Sequence, residues 1–187
     1  MELHRGRERR GRAQNVLGCM YQSGDGLPRD YRKAVNCFRE AAKLGDSNGQ
    51  YNLGRIYQRG MEASLNCQKA AKWFHMAALQ GHGKAQYRLG VLYEKGIGVP
   101  QNLKEALKWK SMAAEQGEAR AQNHLGVKYA TGNGVRKNYR NAYMWLCLAA
   151  MQGNRQASKN VDILIEKMTP EQLSDAKQLV EEWRPKT

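Results

Sequence analysis

No apolar run in this chain approaches the roughly 20 residues a membrane span requires, and the opening MELHRGRERRGR has no apolar signal-peptide core. The chain is therefore expected in the cytoplasm as written, and in the periplasm or outside the cell if an export signal has been removed ahead of it. Cysteine is sparse and unpatterned. Cys19, Cys37, Cys67 and Cys147 form no CxxC pair and no spacing that suggests a staple. They read as free, mostly packed thiols, with no metal site and no cofactor implied. Acidic residues are also few, 17 against 31 Lys and Arg, giving a net charge of +14. Residues 1–12 hold +3 of it, residues 154–187 balance to zero, and the body 13–153 carries +11. A basic body favours acidic partners, whether protein, nucleic acid or anionic lipid, without specifying a fold.

What the chain has in abundance is internal repetition. Leu-Gly recurs at 17–18, 53–54, 89–90 and 125–126, each 36 residues after the last. A tyrosine follows each glycine at the same offset (Tyr21, Tyr57, Tyr93, Tyr129), and a second glycine follows each tyrosine (Gly24, Gly60, Gly96, Gly132). Then come an alanine (Ala34, Ala70, Ala106, Ala142), an Ala-Ala pair beginning at 41, 77, 113 and 149, and a closing glycine at 45, 81, 117 and 153. Four copies in register without an insertion define a tandem repeat.

Each copy reads as two helices. Ala85, Leu89 and Tyr93 recur at a spacing of four, one face of a 3.6-residue helix. Gly90 lies on or near that face, where the missing side chain lets a neighbouring helix approach closely. Gly96 ends this helix A, since glycine enters the left-handed region without a Cβ clash. Asp30, Asn66, Asn102 and Asn138 are placed to cap helix B, which shows a small and aromatic face (Ala106, Trp109, Ala113) and stops at Gly117. One hairpin cannot bury both its faces, whereas stacked hairpins share a core. The expected fold is all-α: an α/α solenoid, wound as a right-handed superhelix, of four helical hairpins at 13–45, 46–81, 82–117 and 118–153. Residues 1–12 read as a basic arm, either disordered or surviving from an upstream repeat. Residues 154–187 read as capping helices, with Thr169 as N-cap, Pro170 at the first helical position and Gln172 completing a capping box.

The run AQYRLGVLYEKGIGVPQNLKEALKWKSMAAEQG, with its counterparts beginning at Ala13 and Ala121, resembles the Sel-one-like repeat family, a relative of the tetratricopeptide repeats. The resemblance covers about three quarters of the chain, and MTPEQLSDAKQLVEEW is similar to the closing helix of many bacterial members. Two departures stand out: Glu62 replaces the second linker glycine of repeat two, and Cys37 stands where the others have Trp73, Trp109 and Trp145. The resemblance implies function by binding: an adaptor or scaffold of bacterial type, in some members a host-interaction factor or an antidote to a secreted toxin, with no catalytic set.

Set against the tetratricopeptide hairpin, the resemblance implies that Leu17, Gly18, Tyr21, Leu53, Gly54, Tyr57, Leu89, Gly90, Tyr93, Leu125, Gly126 and Tyr129 pack inside. The intervening positions of helix A then face a concave surface. These are Asn15, Cys19 and Gln22 in repeat one, Asn48, Tyr51, Arg55, Gln58 and Arg59 in repeat two, Lys84, Tyr87, Val91, Glu94 and Lys95 in repeat three, and Arg120, Asn123 and Val127 in repeat four. Polar and basic with two tyrosines, this face suits an acidic peptide or protein surface. Nucleic acid is the alternative partner, supported by the charge and by RGRERRGR, and opposed by the scarcity of stacking aromatics. A hydrolase reading has less behind it. His4, His75, His82 and His124 are scattered as surface or helix-end residues, and Cys147 shares a repeat with His124 but has no third, orienting group. Ser174-Asp175-Ala176-Lys177 fits the S-x-x-K string of penicillin-interacting enzymes, yet the accompanying S-D-N and K-T-G strings are absent.

Overall fold

A computed structural model describes residues 2–60 and 66–185. The Glu62 departure lies outside the described residues. Among them are ten helices and no strand: α1 (Glu2–Ser23), α2 (Tyr31–Lys43), α3 (Ser47–Arg59), α4 (Cys67–Leu79), α5 (Gly83–Lys95), α6 (Leu103–Glu115), α7 (Ala119–Thr131), α8 (Tyr139–Met151), α9 (Arg155–Ile165) and α10 (Pro170–Glu182). The architecture is an all-α tandem-repeat solenoid. Every helix from α2 to α8 is 13 residues long. Helix α9 is shorter, at 11 residues, and α1 longer, at 22. The basic segment expected to lie outside the repeats is its first half, so it is helical.

The same chemistry closes each hairpin. Helix A ends on a glycine in the left-handed region, as at Gly96 with φ +66°. After the turn, the backbone amide of the helix-B cap donates to the carbonyl of the repeat tyrosine: Asp30 to Tyr21, Asn66 to Tyr57, Asn102 to Tyr93 and Asn138 to Tyr129, at 2.9 to 3.1 Å. The cap side chains then accept from the third residue onward, Lys33, Lys69, Glu105 and Asn141. This satisfies one of the orphan amides of helix B. The spacing between tyrosine and cap is thus held by a backbone bond, which explains why the linkers tolerate sequence change but keep their length.

The chain divides into two compact units, Met1–Ala106 and Leu107–Thr187. In the first, a Cβ on Gly18 would stand 2.7 Å from the Phe38 ring, and one on Gly54 would stand 2.8 Å from the Phe74 ring. The bare glycine backbone is therefore the seat of the facing aromatic. Ala34, Val35, Phe38 and Ile56 form the apolar centre here, with Tyr21 and Tyr31 packed against it. In the second unit Gly126 receives Leu146 in the same way, at 2.5 Å. Ala142, Tyr143, Leu146, Ala149, Ala157, Leu164 and Ala176 join α8, α9 and α10 into one core, against which Leu173 and Val180 pack. The expected capping box is formed: Thr169 Oγ1 accepts from the Gln172 amide, and Gln172 Oε1 accepts from the Thr169 amide. Trp183 caps α10 in extended backbone and meets Trp145 edge-on, with centroids 6.2 Å apart.

Of the repeat residues, Leu53, Leu89 and Leu125 are buried and Leu17 is half-buried, while Gly18, Gly54, Gly90 and Gly126 are buried. Tyr21, Tyr57, Tyr93 and Tyr129 are half-buried rather than enclosed. Lys33 and Lys69 lie over the rings of Tyr21 and Tyr57, each 5.5 Å from the centroid. Tyr21 works as an edge, one side on the core and the other under a lysine.

Candidate protein-interaction face

In the first unit the predicted face residues converge on α3. The Tyr51 ring stacks on His82 with centroids 4.7 Å apart, meets Phe74 at a tilt with centroids 5.9 Å apart, and carries the Arg55 guanidinium 5.7 Å from its centroid. His82 caps α5, its Nδ1 accepting from the Ala85 amide at 3.2 Å. An acceptor nitrogen must be unprotonated, and burial, helped by the Lys84 charge, holds the imidazole below its ordinary range. The sequence placed His82 at a helix end; its stacking on Tyr51 carried no sequence signal. Cys19, on α1, lies within electrostatic reach of Arg55 and Asp46. Asn48 lines a cleft of about 700 Å³ with Arg7, Arg12 and Gln80. Arg7 itself reaches across to donate to the Lys43 carbonyl at 3.0 Å, closing the end of α2.

Other predicted residues are spread along the helices. Arg59, Lys84 and Lys95 are exposed, while Gln22, Gln58, Tyr87 and Glu94 are half-buried. In the second unit Arg120 is exposed. Two asparagines placed on the partner face are hydrogen-bonded within the fold: Asn15 accepts from Asn52, and Asn123 from Asn160, both at 3.0 Å. Each pair ties one helix A to the next.

Sequence reasoning missed a buried glutamine series. Gln50, Gln86 and Gln122 are at most 2% exposed, and each donates to the carbonyl of the second alanine in the preceding Ala-Ala pair: Ala42, Ala78 and Ala114. They thereby satisfy a helix-B terminus that water cannot reach. Their 36-residue spacing was the available signal. Also missed was Lys110, 1% exposed, at the position where the other repeats carry Phe38, Phe74 and Leu146. Its ammonium sits 2.9 Å from His124 Nε2.

Nucleophile chemistry finds little support. Burial pushes the thiols of Cys19, Cys37 and Cys147 upward, away from the reactive thiolate. The Tyr143 phenol, hydrogen-bonded to Cys147, is pushed up to about 12, chiefly by burial. Ser174 and Lys177 of the S-x-x-K string are exposed on α10. Among the described residues no three His, Cys, Asp or Glu side chains converge as a metal site would, and no helix is long and apolar enough to cross a membrane.

Among the described residues, four helical hairpins repeating every 36 residues define a helical-repeat protein. The Sel1 repeat pattern matches residues 11–46, 47–82, 83–118 and 119–154, and the chain belongs to the Sel1 repeat family. A Sel1 repeat protein from Oxalobacter formigenes is 32% identical, with a TM-score of 0.75, over 93% of this chain and 71% of that one. A protective antigen of uropathogenic Escherichia coli displaying an SLR fold is 28% identical at a TM-score of 0.65, over 92% of this chain and 45% of its own. An immunity protein from Pseudomonas aeruginosa is 26% identical at 0.58, over 92% and 68%. No curated protein matches the sequence. The family's repeats mediate protein–protein interaction, and the fold is typically a non-enzymatic scaffold.

Proposed function

We propose that this Sel1 repeat protein holds an acidic segment of another protein on the α1 and α3 face of its first unit. The observation that carries the reading is the Arg55–Tyr51–His82 stack. It is an aromatic surface with a guanidinium already ordered over it, so little side-chain entropy remains to be lost on binding. Arg7, Arg12 and Asn48 supply further donors in the cleft at the start of α3, which the carboxylates of Glu8 and Asp46 also line. The likeness to an immunity protein supports a toxin-neutralising role, in which such a face would bind an acidic patch on the toxin. The nucleic-acid alternative draws on the net charge of +14 and on the arginines of α1.

Affinity capture from the native cell, followed by mass spectrometry, identifies the partner. Arg55→Glu combined with Lys84→Glu is expected to weaken that partner, and a labelled Glu/Asp-rich peptide, at least tenfold while leaving the helical circular dichroism unchanged. Unchanged affinity overturns the reading. A single-stranded RNA complex that survives 150 mM salt would replace it with the nucleic-acid alternative.

A further inference from the structure

The last hairpin begins like the others and then breaks the pattern. Asn154 caps α9 through the Ala157 amide, Ala157 is fully buried, and Asn160 binds Asn123. One period after Leu125-Gly126, however, stands Val161-Asp162. Gly18, Gly54 and Gly126 are the seats where helix B comes within contact of helix A, through Phe38, Phe74 and Leu146, and a carboxylate at that seat excludes a helix that presents an apolar side chain to it, but not one that presents a cation. The linker changes too. Seven residues separate helix A from helix B in every repeat, but only four separate α9 from α10. Helix α10 accordingly packs on α8, through Ala176, Leu173 and Val180, and leaves the helix-B position beside α9 unfilled.

A cleft of about 400 Å³ remains there, within the range of volumes that hold a ligand or a peptide side-chain cluster. Tyr143 and Met151 of α8 form its floor, Val161 and Asp162 of α9 one wall, Val180 and Glu181 of α10 the other. The apolar surface runs on past Met151 to Leu148 and Trp183. Met151 is 76% exposed, a flexible and polarisable side chain of the kind that adapts to incoming helices. The cleft's charged lining is two carboxylates, Asp162 and Glu181, against one ammonium, Lys177, an acidic balance in a chain of net charge +14.

We infer that this cleft takes an amphipathic helix of another protein, seated as a helix B would be, with its apolar face on Met151 and Val161 and a lysine or arginine paired with Asp162. Shape and charge select the occupant together: the vacated seat is a helix's, and its rim attracts cations. This surface is separate from the basic face on the first unit and binds the opposite kind of charge.

The probe is a fluorescein-labelled, acetylated and amidated peptide of the chain's own α6 sequence, LKEALKWKSMAAE, which carries three lysines and two glutamates. It is titrated against the full chain by fluorescence anisotropy. Saturable one-site binding is expected. Met151→Glu and Asp162→Lys, both at exposed positions, are each expected to weaken it at least tenfold without altering the circular dichroism. A scrambled peptide, and one with its lysines changed to glutamate, are expected not to bind. Arg55→Glu is expected to leave the affinity unchanged, which separates this result from the fate of the acidic-partner face. No saturable binding, or binding indifferent to both cleft variants, overturns the inference. So does sedimentation showing that the chain self-associates and that Met151→Glu makes it monomeric, since the occupant is then a second copy.

Discussion

Gly126→Ala sets two effects against each other with opposite signs. In an open helix interior the change is stabilising by about 1 kcal/mol, because alanine costs less backbone entropy. At this site the new Cβ would stand 2.5 Å from Leu146 Cγ, 2.8 Å from its Cδ2 and 3.1 Å from the Ala142 carbonyl oxygen. Leu146 is 1% exposed and meets the glycine with its branch point, so it has nowhere to swing. Overpacking of this kind costs about 1–3 kcal/mol, so after the propensity gain the expected net loss is up to about 2 kcal/mol. For a chain of this size that corresponds to a melting temperature lower by up to about 8 °C. Two further variants isolate the cause. Gly6→Ala, on the exposed first half of α1 with nothing within 4 Å of its Cβ, is expected to be neutral or stabilising by up to about 1 kcal/mol. Combining Gly126→Ala with Leu146→Ala removes the atoms that clash. The double variant is expected to be no less stable than Leu146→Ala alone, itself destabilised by about 2–5 kcal/mol. Urea titration followed by circular dichroism measures all four proteins. If Gly126→Ala proves more stable than the parent, helix propensity dominates and close approach is not why the glycine is there.

His82 makes a pH-dependent contribution. Its imidazole is held below the free value of about 6.5, so folding favours the neutral form. The stability it supports is complete above that value and is lost as pH falls from there through the folded-state pKa. His82→Asn keeps a good N-cap without a titratable group, and urea midpoints between pH 7.5 and 5 are expected to fall less steeply for it than for the parent; equal slopes refute this. Gln122→Ala removes the donor to the Ala114 carbonyl and the acceptor of Gln152, bonds of 3.2 and 2.8 Å at a side chain with no exposure. The Ala114 carbonyl keeps the Gly117 amide at 2.9 Å, so the expected cost is that of two lost hydrogen bonds, about 1–3 kcal/mol in all, read from the urea midpoint, and a change within error would show that the glutamine is dispensable.

The sequence determined the period, the hairpin and the caps, because each depends on a residue and its neighbours within a turn or two. Glycine ends helix A, Asp or Asn starts helix B, and four copies in register leave little freedom of fold. The helix positions of the candidate face were legible for the same reason: a residue's place on its helix follows from its number, which is how Tyr51, Arg55 and Asn48 came to be named. The pairing of those residues was not legible. That Asn15 and Asn123 are engaged by Asn52 and Asn160, that Tyr51 lies on His82, and that Gln122 closes a helix end eight residues behind it depend on how one hairpin rests on another. The clearest case is Asp162. In the sequence it is one polar residue in a tail where the repeat has faded. Its distance of one period from Gly126 puts this carboxylate at the seat of a glycine; only the packed core, with α10 laid against α8, shows the cleft beside it, because a place between helices exists only once the helices are packed.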